Sequence, residues 1–364
     1  MYIKLSNRKF VSFFLVIIIT FITYHLFIWY FLTSKIFNAS PYYIGDLGRM
    51  SYQIDSLFPR IEQVTLPNRH FNDIDENKRP IDLITIGDSF SNGMGSGTNP
   101  YYQDYLATAL NINILNIQNV DNSFGYIDTI RYLHKNGWLR KVQTKAVLIE
   151  CVARETLNHV PSKNNTFQLQ QRDLNATLFK TNFTREFPNT LPINTGNYKA
   201  SYYYMKYKYS IHAKKEVYKF PLVTNLFSSK DKNHLLVYND DINNIDQITD
   251  KSVILLNHEL NLLSNELKKD GITLLFMPVV DKYDLYYNFI EKNDDYPRNP
   301  FFTLLRKQQK NYVFVDTKAI LIPMLEKNIS DVYYPDDTHW SFNASEQISK
   351  NKTFTFTFLS NKGI

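Results

Sequence analysis

Short apolar runs separated by amphipathic stretches set the rhythm of this chain. The segments 81–87 (IDLITIG), 112–117 (INILNI), 145–152 (KAVLIECV), 272–280 (ITLLFMPVV) and 312–317 (YVFVDT) are brief and largely apolar, the pattern of strands buried on both faces. Between them lie stretches with apolar residues at helical spacing. Tyr102, Leu106, Ala109 and Leu110 recur within 99–110, and Ile127, Ile130 and Leu133 within 125–137, where Gly137 marks the stop. Leu256, Leu260, Leu263 and Leu267 line one side of 252–271, with lysines in the last turn and Gly271 as C-cap. Helices are also predicted over 301–311, over 318–328 with Pro323 interrupting, and over 341–351 from Ser341 or Asn343, with Glu346 placed for capping. The strictly alternating TFTFTF at 353–358 predicts a strand. Strands alternating with helices predict an α/β domain with a mostly parallel five-stranded sheet covered on both faces.

Two regions break the rhythm. Residues 36–80 are polar and carry Pro41, Pro59, Pro67 and Pro80, and read as a spacer plus a few local elements between residues 1–35 and a domain over 81–364. Within that domain, about 155–250 reads as an inserted cap rich in Asn, Lys and Tyr. Its stretch YKASYYYMKYKYS (198–210), including Tyr203 and Tyr207, interleaves Tyr with Lys. Such a surface stacks on sugar rings and attracts carboxylates; a Tyr-rich strand pair or a sticky subdomain surface is the plainer reading.

Residues 10–32 contain no Asp, Glu, Lys or Arg and are long enough to cross a hydrocarbon layer of roughly 30 Å as a helix. Tyr24, His25, Trp29 and Tyr30 crowd the far half as an interfacial belt would, and Lys4, Arg8 and Lys9 precede the run. The pattern predicts a single-pass anchor with a cytoplasmic N-terminus and the remainder outside the cytoplasm. A cleaved signal peptide is the alternative, and it leaves the domain on the same side.

Composition narrows the chemistry. With 44% hydrophobic and 21% charged residues among 364, the chain can build a core. Its formal charge of +6 is diffuse, with no basic block or zinc-knuckle spacing, which argues against nucleic acid. Aromatic residues reach 15%, fitting a dense core or a surface for flat ligands. The single cysteine, Cys151, sits in an apolar run as a packed thiol and excludes an intrachain disulfide or a Cys-based metal site. No histidine spacing suggests a metal, and no cofactor motif occurs.

Two short motifs carry chemistry. The run 81–87 stops at Gly87-Asp88-Ser89, which puts Ser89 just beyond the carboxyl end of a strand, where open α/β sheets build their sites. Gly87 permits a sharp turn and Asp88 can bond the loop backbone. A serine hydroxyl needs a base to act as nucleophile. Near the other end, DDTHWS (336–341) puts Asp336 and Asp337 just before His339, between the last strand of the sheet and a closing helix. An Asp on such a loop fixes the imidazole tautomer and leaves Nε2 to take a proton from Ser89. Each motif alone is most simply a turn serine or a surface pair; together they predict a serine nucleophile and its base.

IGDSFSNG and DDTHWS resemble the first and last sequence blocks of the SGNH, or GDSL-type, hydrolase superfamily. The D-T-H-W form, with PVVDKYDLYYNF at 278–289, resembles the SGNH-like domains of membrane-anchored alginate and polysaccharide O-acetylation proteins. The likeness spans about 80–350 and matches 155–250 poorly. It implies a three-layer α/β/α sandwich, Ser89 as nucleophile, His339 as base, and Asp337 or Asp336 as orienter, the D-x-H-W form selecting Asp337. It also implies an oxyanion hole from the Ser89 N–H and a glycine, for which Gly125 matches. Arg154, Tyr203, Tyr207 and Trp340 are the expected substrate contacts. The third-strand block IECVARETL lacks the family's asparagine donor, and Arg154 or Glu155 stands in that place.

The expected activity is acetyl transfer to a hydroxyl of an extracytoplasmic polysaccharide through an acyl-Ser89 intermediate. The acetyl donor would come by way of a multi-spanning membrane acyltransferase. A carbohydrate O-acetylesterase of the same fold is the second reading, and a non-catalytic polysaccharide-binding or assembly subunit is the third.

Overall fold

The computed structural model describes residues 7–37, 44–61, 64–73, 80–163, 177–179, 191–209 and 216–359. Lys4, Ser210 and much of the predicted insertion (164–176, 180–190 and 210–215) therefore lie outside the described residues.

Seven strands are described: β1 (Leu83–Ile86), β2 (Ile114–Ile117), β3 (Ala146–Val152), β4 (Val217–Pro221), β5 (His234–Tyr238), β6 (Thr273–Val279) and β7 (Val313–Phe314). Five form one sheet in the order β2-β1-β3-β6-β7 with parallel pairing, Leu83 lying opposite both Ile114 and Ala146. β1, β2 and β3 are fully buried, which explains their unbroken apolar runs. β1 sits between β2 and β3, so the winding reverses there, and that reversal opens a crevice at the carboxyl ends of the strands.

Two groups of helices pack around the sheet. Asp250–Lys268 contacts β6, helix Tyr126–Lys135 and helix Phe301–Arg306. Its Leu256, Leu260, Leu263 and Leu267 are buried, and Thr249 Oγ1 caps its start by accepting from Ser252 N. In the second group, Tyr102–Leu110 packs on Phe342–Ser349, which contacts Thr317–Glu326. Pro323 is accommodated inside that last helix rather than ending it.

Three expectations change. Residues 353–358 lie in a helix, Lys352–Leu359, not a strand. Phe354 and Phe358 are buried while Phe356 is 68% exposed, so the core takes residues four apart and the alternation carries no sheet register. The Tyr-Lys stretch forms the helix Gly196–Tyr209, not a strand pair; the insertion's strands are the antiparallel β4 and β5. The segment read as a spacer is part of the fold. Phe71 adds a parallel bridge to Leu115 at the sheet edge, donating to the Ile114 carbonyl at 2.8 Å.

Asn7–Ile36 is one helix long and apolar enough to cross a membrane, with a π turn at Trp29–Thr33. Ile36, with the neighbouring Ile28 and Leu32, joins Ile44, Tyr52 and Ala200 in a small core separate from that of the sheet.

The central position of β3 makes its packing decisive. Leu148→Ala, at a site with no exposed surface, is expected to cost about 2–5 kcal/mol. Leu262→Ala, on the outer face of Asp250–Lys268, should stay within about 0.5 kcal/mol. Thermal unfolding of the full chain in detergent reads the difference as a much larger drop in Tm for the first variant.

Candidate active site

The turn after β1 is built by close approach. A Cβ on Gly87 would stand 2.3 Å from Glu150 Oε2 and 2.5 Å from Ser91 Oγ, so only glycine lets the chain pass β3 here. Asp88 then ties the turn together, accepting from Phe90 N (3.0 Å) and from Val152 N (2.7 Å) at the end of β3. Ser89 is left half-buried, and its N–H makes no hydrogen bond among the described residues.

The segment 333–340 turns back on itself, with Tyr333 bridged to Trp340 and Tyr334 N donating to the His339 carbonyl. This carries His339 to Ser89. His339 Nε2 lies 2.7 Å from Ser89 Oγ, and Nδ1 lies 2.6 Å from Asp337 Oδ1, which also accepts from His339 N at 3.1 Å. Since a carboxylate only accepts, Nδ1 carries the proton and Nε2 is free to accept from the serine hydroxyl. The Phe90 ring packs on the imidazole with centroids 4.7 Å apart. Gly95, at φ +79°, passes so close that a Cβ there would lie 2.8 Å from His339 Cβ.

Asp336 and Asp337, adjacent in sequence, have separate partners. Asp336 is fully buried and faces Arg60 Nη2 at 2.5 Å and Gly45 N at 2.9 Å. Arg60 Nη2 also reaches Asp337 Oδ2 at 3.2 Å. Burial opposes ionisation of Asp337, but its pairing with the His339 imidazole and the Arg60 guanidinium holds it well below the usual carboxylate range. Asp46 packs alongside, accepting from Thr338 N (2.8 Å) and Thr338 Oγ1 (2.5 Å). Although the Asp46 side chain keeps 28% exposure, its oxygens turn toward Thr338; loss of water and the charge of Asp337 push it up to about 6. Asp46, Asp337 and His339 bring ligand-type atoms within 4.8 Å of one another, but the Nδ1 proton already occupies the ring atom that faces the carboxylates.

Lys282 holds the loop from below. It is 1% exposed, and Nζ donates to the carbonyls of Tyr334 (2.7 Å), Pro335 (3.0 Å) and Asp337 (3.0 Å). Burial lowers its pKa to about 8, against the pull of Asp336 and Asp337. Beneath Ser89, Glu150 Oε2 accepts from Ser91 Oγ (2.7 Å) and Ser91 N (3.0 Å), while its Oε1 meets no donor. Burial and the nearby Asp88 carboxylate raise the Glu150 pKa well above the usual range. Both facts fit a carboxyl driven toward its neutral form.

Ser89 opens into a cleft of about 700 Å³ whose walls include Asn92, Gln118, Asn122, Tyr126 and Arg154. Arg154 Nη1 is steered by Asp241 (2.9 Å), and its backbone N by Asp281 (3.2 Å). Those two carboxylates hold the guanidinium charged against the cost of its burial.

Other expected site residues lie elsewhere. Gly125 donates its N–H to Asp128 Oδ2 at the start of helix Tyr126–Lys135, so that donor is spent in capping and is not free for an oxyanion. Trp340 is 4% exposed and packs edge-on against Phe90 and Tyr102 (4.8 and 6.1 Å), a core residue rather than a substrate contact. Tyr203 stacks on Tyr52 at 5.5 Å, and Tyr207 Oη accepts from Val217 N; neither lines the cleft. Conversely, Gly45, Asp46, Arg60 and Glu150 were not anticipated. A lone Arg after a proline carries no pattern, whereas Glu150 inside an apolar strand is a signal that a buried carboxyl needs a partner.

No family model matches this chain, and no curated protein matches it.

Lys282→Met should lower stability by about 1–3 kcal/mol by leaving three buried loop carbonyls without their donor. The native pKa of about 8 lies below the unfolded value of 10.5, so the unfolded chain binds more protons between them. The charge penalty is therefore full below pH 8 and is relieved as pH rises toward 10.5. The stability gap between wild type and Lys282→Met, from melting curves, is expected to widen across that window.

Proposed function

We propose that this chain is a membrane-anchored, extracytoplasmic SGNH-like O-acetyltransferase that moves an acetyl group to a polysaccharide hydroxyl through an acyl-Ser89 intermediate. The observation that carries the reading is the hydrogen-bonded chain Ser89–His339–Asp337 at the carboxyl rim of a parallel sheet, open to a cleft beside its switch point. The two helix groups around the sheet fit the three-layer sandwich of that superfamily.

In the first half-reaction, Ser89 Oγ attacks the acetyl carbonyl carbon as its proton passes to His339 Nε2. Asp337 stabilises the imidazolium, the C–O or C–S bond to the donor breaks, and the leaving atom takes the proton back from Nε2. In the second, a sugar hydroxyl gives its proton to Nε2 and attacks the acyl carbon; Ser89 Oγ leaves and is reprotonated. The Ser89 N–H, unengaged among the described residues, points to one oxyanion donor, and Arg154 supplies positive charge where the family has asparagine. The amides of Asn92, Gln118 and Asn122 with Tyr126 give the cleft the neutral polar lining that suits sugar hydroxyls. A membrane helix packed onto the domain fits a donor delivered from within the bilayer.

The full chain in detergent, given an activated acetyl ester, should accumulate an acetyl adduct on Ser89 detectable by mass spectrometry. Ser89→Ala should lose the adduct and lower the rate at least about 10³-fold, and Asp337→Asn should lower it by about 10⁴-fold without unfolding. With oligosaccharide present, acetylated sugar is the expected product. Release of acetate alone would identify an esterase, and a fully active Ser89→Ala protein would refute the assignment.

A further inference from the structure

His25 stands inside an otherwise apolar helix and is 1% exposed, although its neighbours Phe21, Leu26 and Phe27 are bare. What covers it is the start of helix Gly196–Tyr209. Asn197 Nδ2 donates to His25 Nδ1 (2.8 Å), to the His25 carbonyl (3.3 Å) and to the Pro192 carbonyl (2.7 Å). An amide nitrogen only donates, so Nδ1 accepts, the ring proton sits on Nε2, and Nε2 meets Tyr198 Oη at 3.0 Å. Tyr24 Oη lies 2.8 Å from Ser201 Oγ, and the Tyr24 and Tyr198 rings stack. Further along, Ala200 and Tyr203 pack with Ile28, Leu32 and Ile36, so the two helices run side by side away from His25.

The depth of this junction follows from length. A hydrocarbon layer of about 30 Å takes about 20 helical residues, which from Phe10 ends near Tyr30. His25 then lies about 7 Å inside that boundary, at about 1.5 Å per residue. An imidazole there needs internal partners, and Asn197 and Tyr198 supply them. Those partners must sit at the same depth, and so must the loop before them. The surface they present fits such a place: Leu191, Ile193, Tyr198, Tyr202 and Met205 are 60, 48, 50, 62 and 54% exposed. In water this is an uncovered apolar edge. At a bilayer it is an interfacial surface, with Lys199 and Lys206 on the same helix to meet anionic phosphates.

We infer that residues 191–205 form a second membrane contact. The loop 191–197 and Tyr198 dip into the apolar layer beside the membrane helix, and Lys199, Tyr202 and Lys206 reach the headgroup layer of an anionic lipid surface. The inference rests on the reading of Asn7–Ile36 as a membrane span. It moves the Tyr-Lys helix from sugar binding to lipid binding and fixes the height of the domain above the bilayer.

Spin-label depth measurements on the full chain test it, in vesicles of phosphatidylcholine containing phosphatidylglycerol. Nitroxides are placed through Ile193→Cys, Tyr202→Cys, Phe14→Cys in the span and Lys251→Cys on the outer domain. Cys151 is fully buried and its thiol pKa is raised by burial, so the unsubstituted protein should take up no label. The oxygen-to-nickel-chelate collision ratio at Ile193 is expected to approach that at Phe14 and to exceed that at Lys251 on the order of tenfold, with Tyr202 between. A nickel accessibility at Ile193 equal to that at Lys251, with Phe14 protected, overturns the inference while sparing the span. Nickel access at Phe14 overturns the span itself. Low collision with both reagents at Ile193 would mean a second copy of the chain covers the edge, and also overturns the lipid contact.

Discussion

A single buried guanidinium holds the candidate site together. Asp336 and Asp337 are adjacent carboxyls with almost no exposure, a pairing that water-free surroundings do not tolerate without a cation. Arg60, itself 1% exposed, faces both and lies over the Tyr334 ring at 4.6 Å. With Asp336 so fixed, the next residue is free to aim at His339, and the imidazole at Ser89. Lys282 completes the arrangement from the opposite side by gathering three loop carbonyls. Two cations from distant parts of the chain thus convert a flexible acidic turn into a fixed one.

The sheet was legible in the sequence because β1, β2 and β3 are buried on both faces and leave largely apolar runs, and because helices such as Asp250–Lys268 carry an unmistakable leucine stripe. The meeting of Ser89 with His339 was legible for a related reason, since a parallel sheet returns every strand end to one rim. What could not be read were contacts made by isolated residues. Arg60 and Asp46 belong to a proline-bearing stretch with no periodicity, and nothing local says that they face residues 336–338. Gly125 shows the opposite failure: motif position suggested an oxyanion donor, but helix capping had the stronger claim on its N–H. Trp340 beside the histidine was drawn into the core because an indole beside Phe90 and Tyr102 gains more from burial than from solvent.

The carboxyls around Ser89 are sorted by environment. Asp337 is held charged by the Arg60 guanidinium and by its hydrogen bonds from His339, Asp88 is committed to two backbone amides, and Glu150 is driven toward its neutral form beneath them. One patch of acidic residues thereby provides a charge that supports the imidazole, a clasp between the turns after β1 and β3, and an uncharged floor under Ser91. Without that sorting, the excess of negative charge would push the segments apart.

The position of Arg60 in the covalent order has a consequence for the proposed membrane anchor. A protease cutting between Arg60 and β1 would free the sheet, Ser89 and His339 in one piece, yet the guanidinium would remain on the other fragment. The liberated portion would keep Asp336 and Asp337 with only Lys282 nearby, whose Nζ is engaged by three loop carbonyls, and it would have to take up protons or water, or hold on to the severed peptide. If the proposed anchoring and activity hold, shedding and silencing would be one event, with the N-terminal segment acting as a structural subunit of the domain.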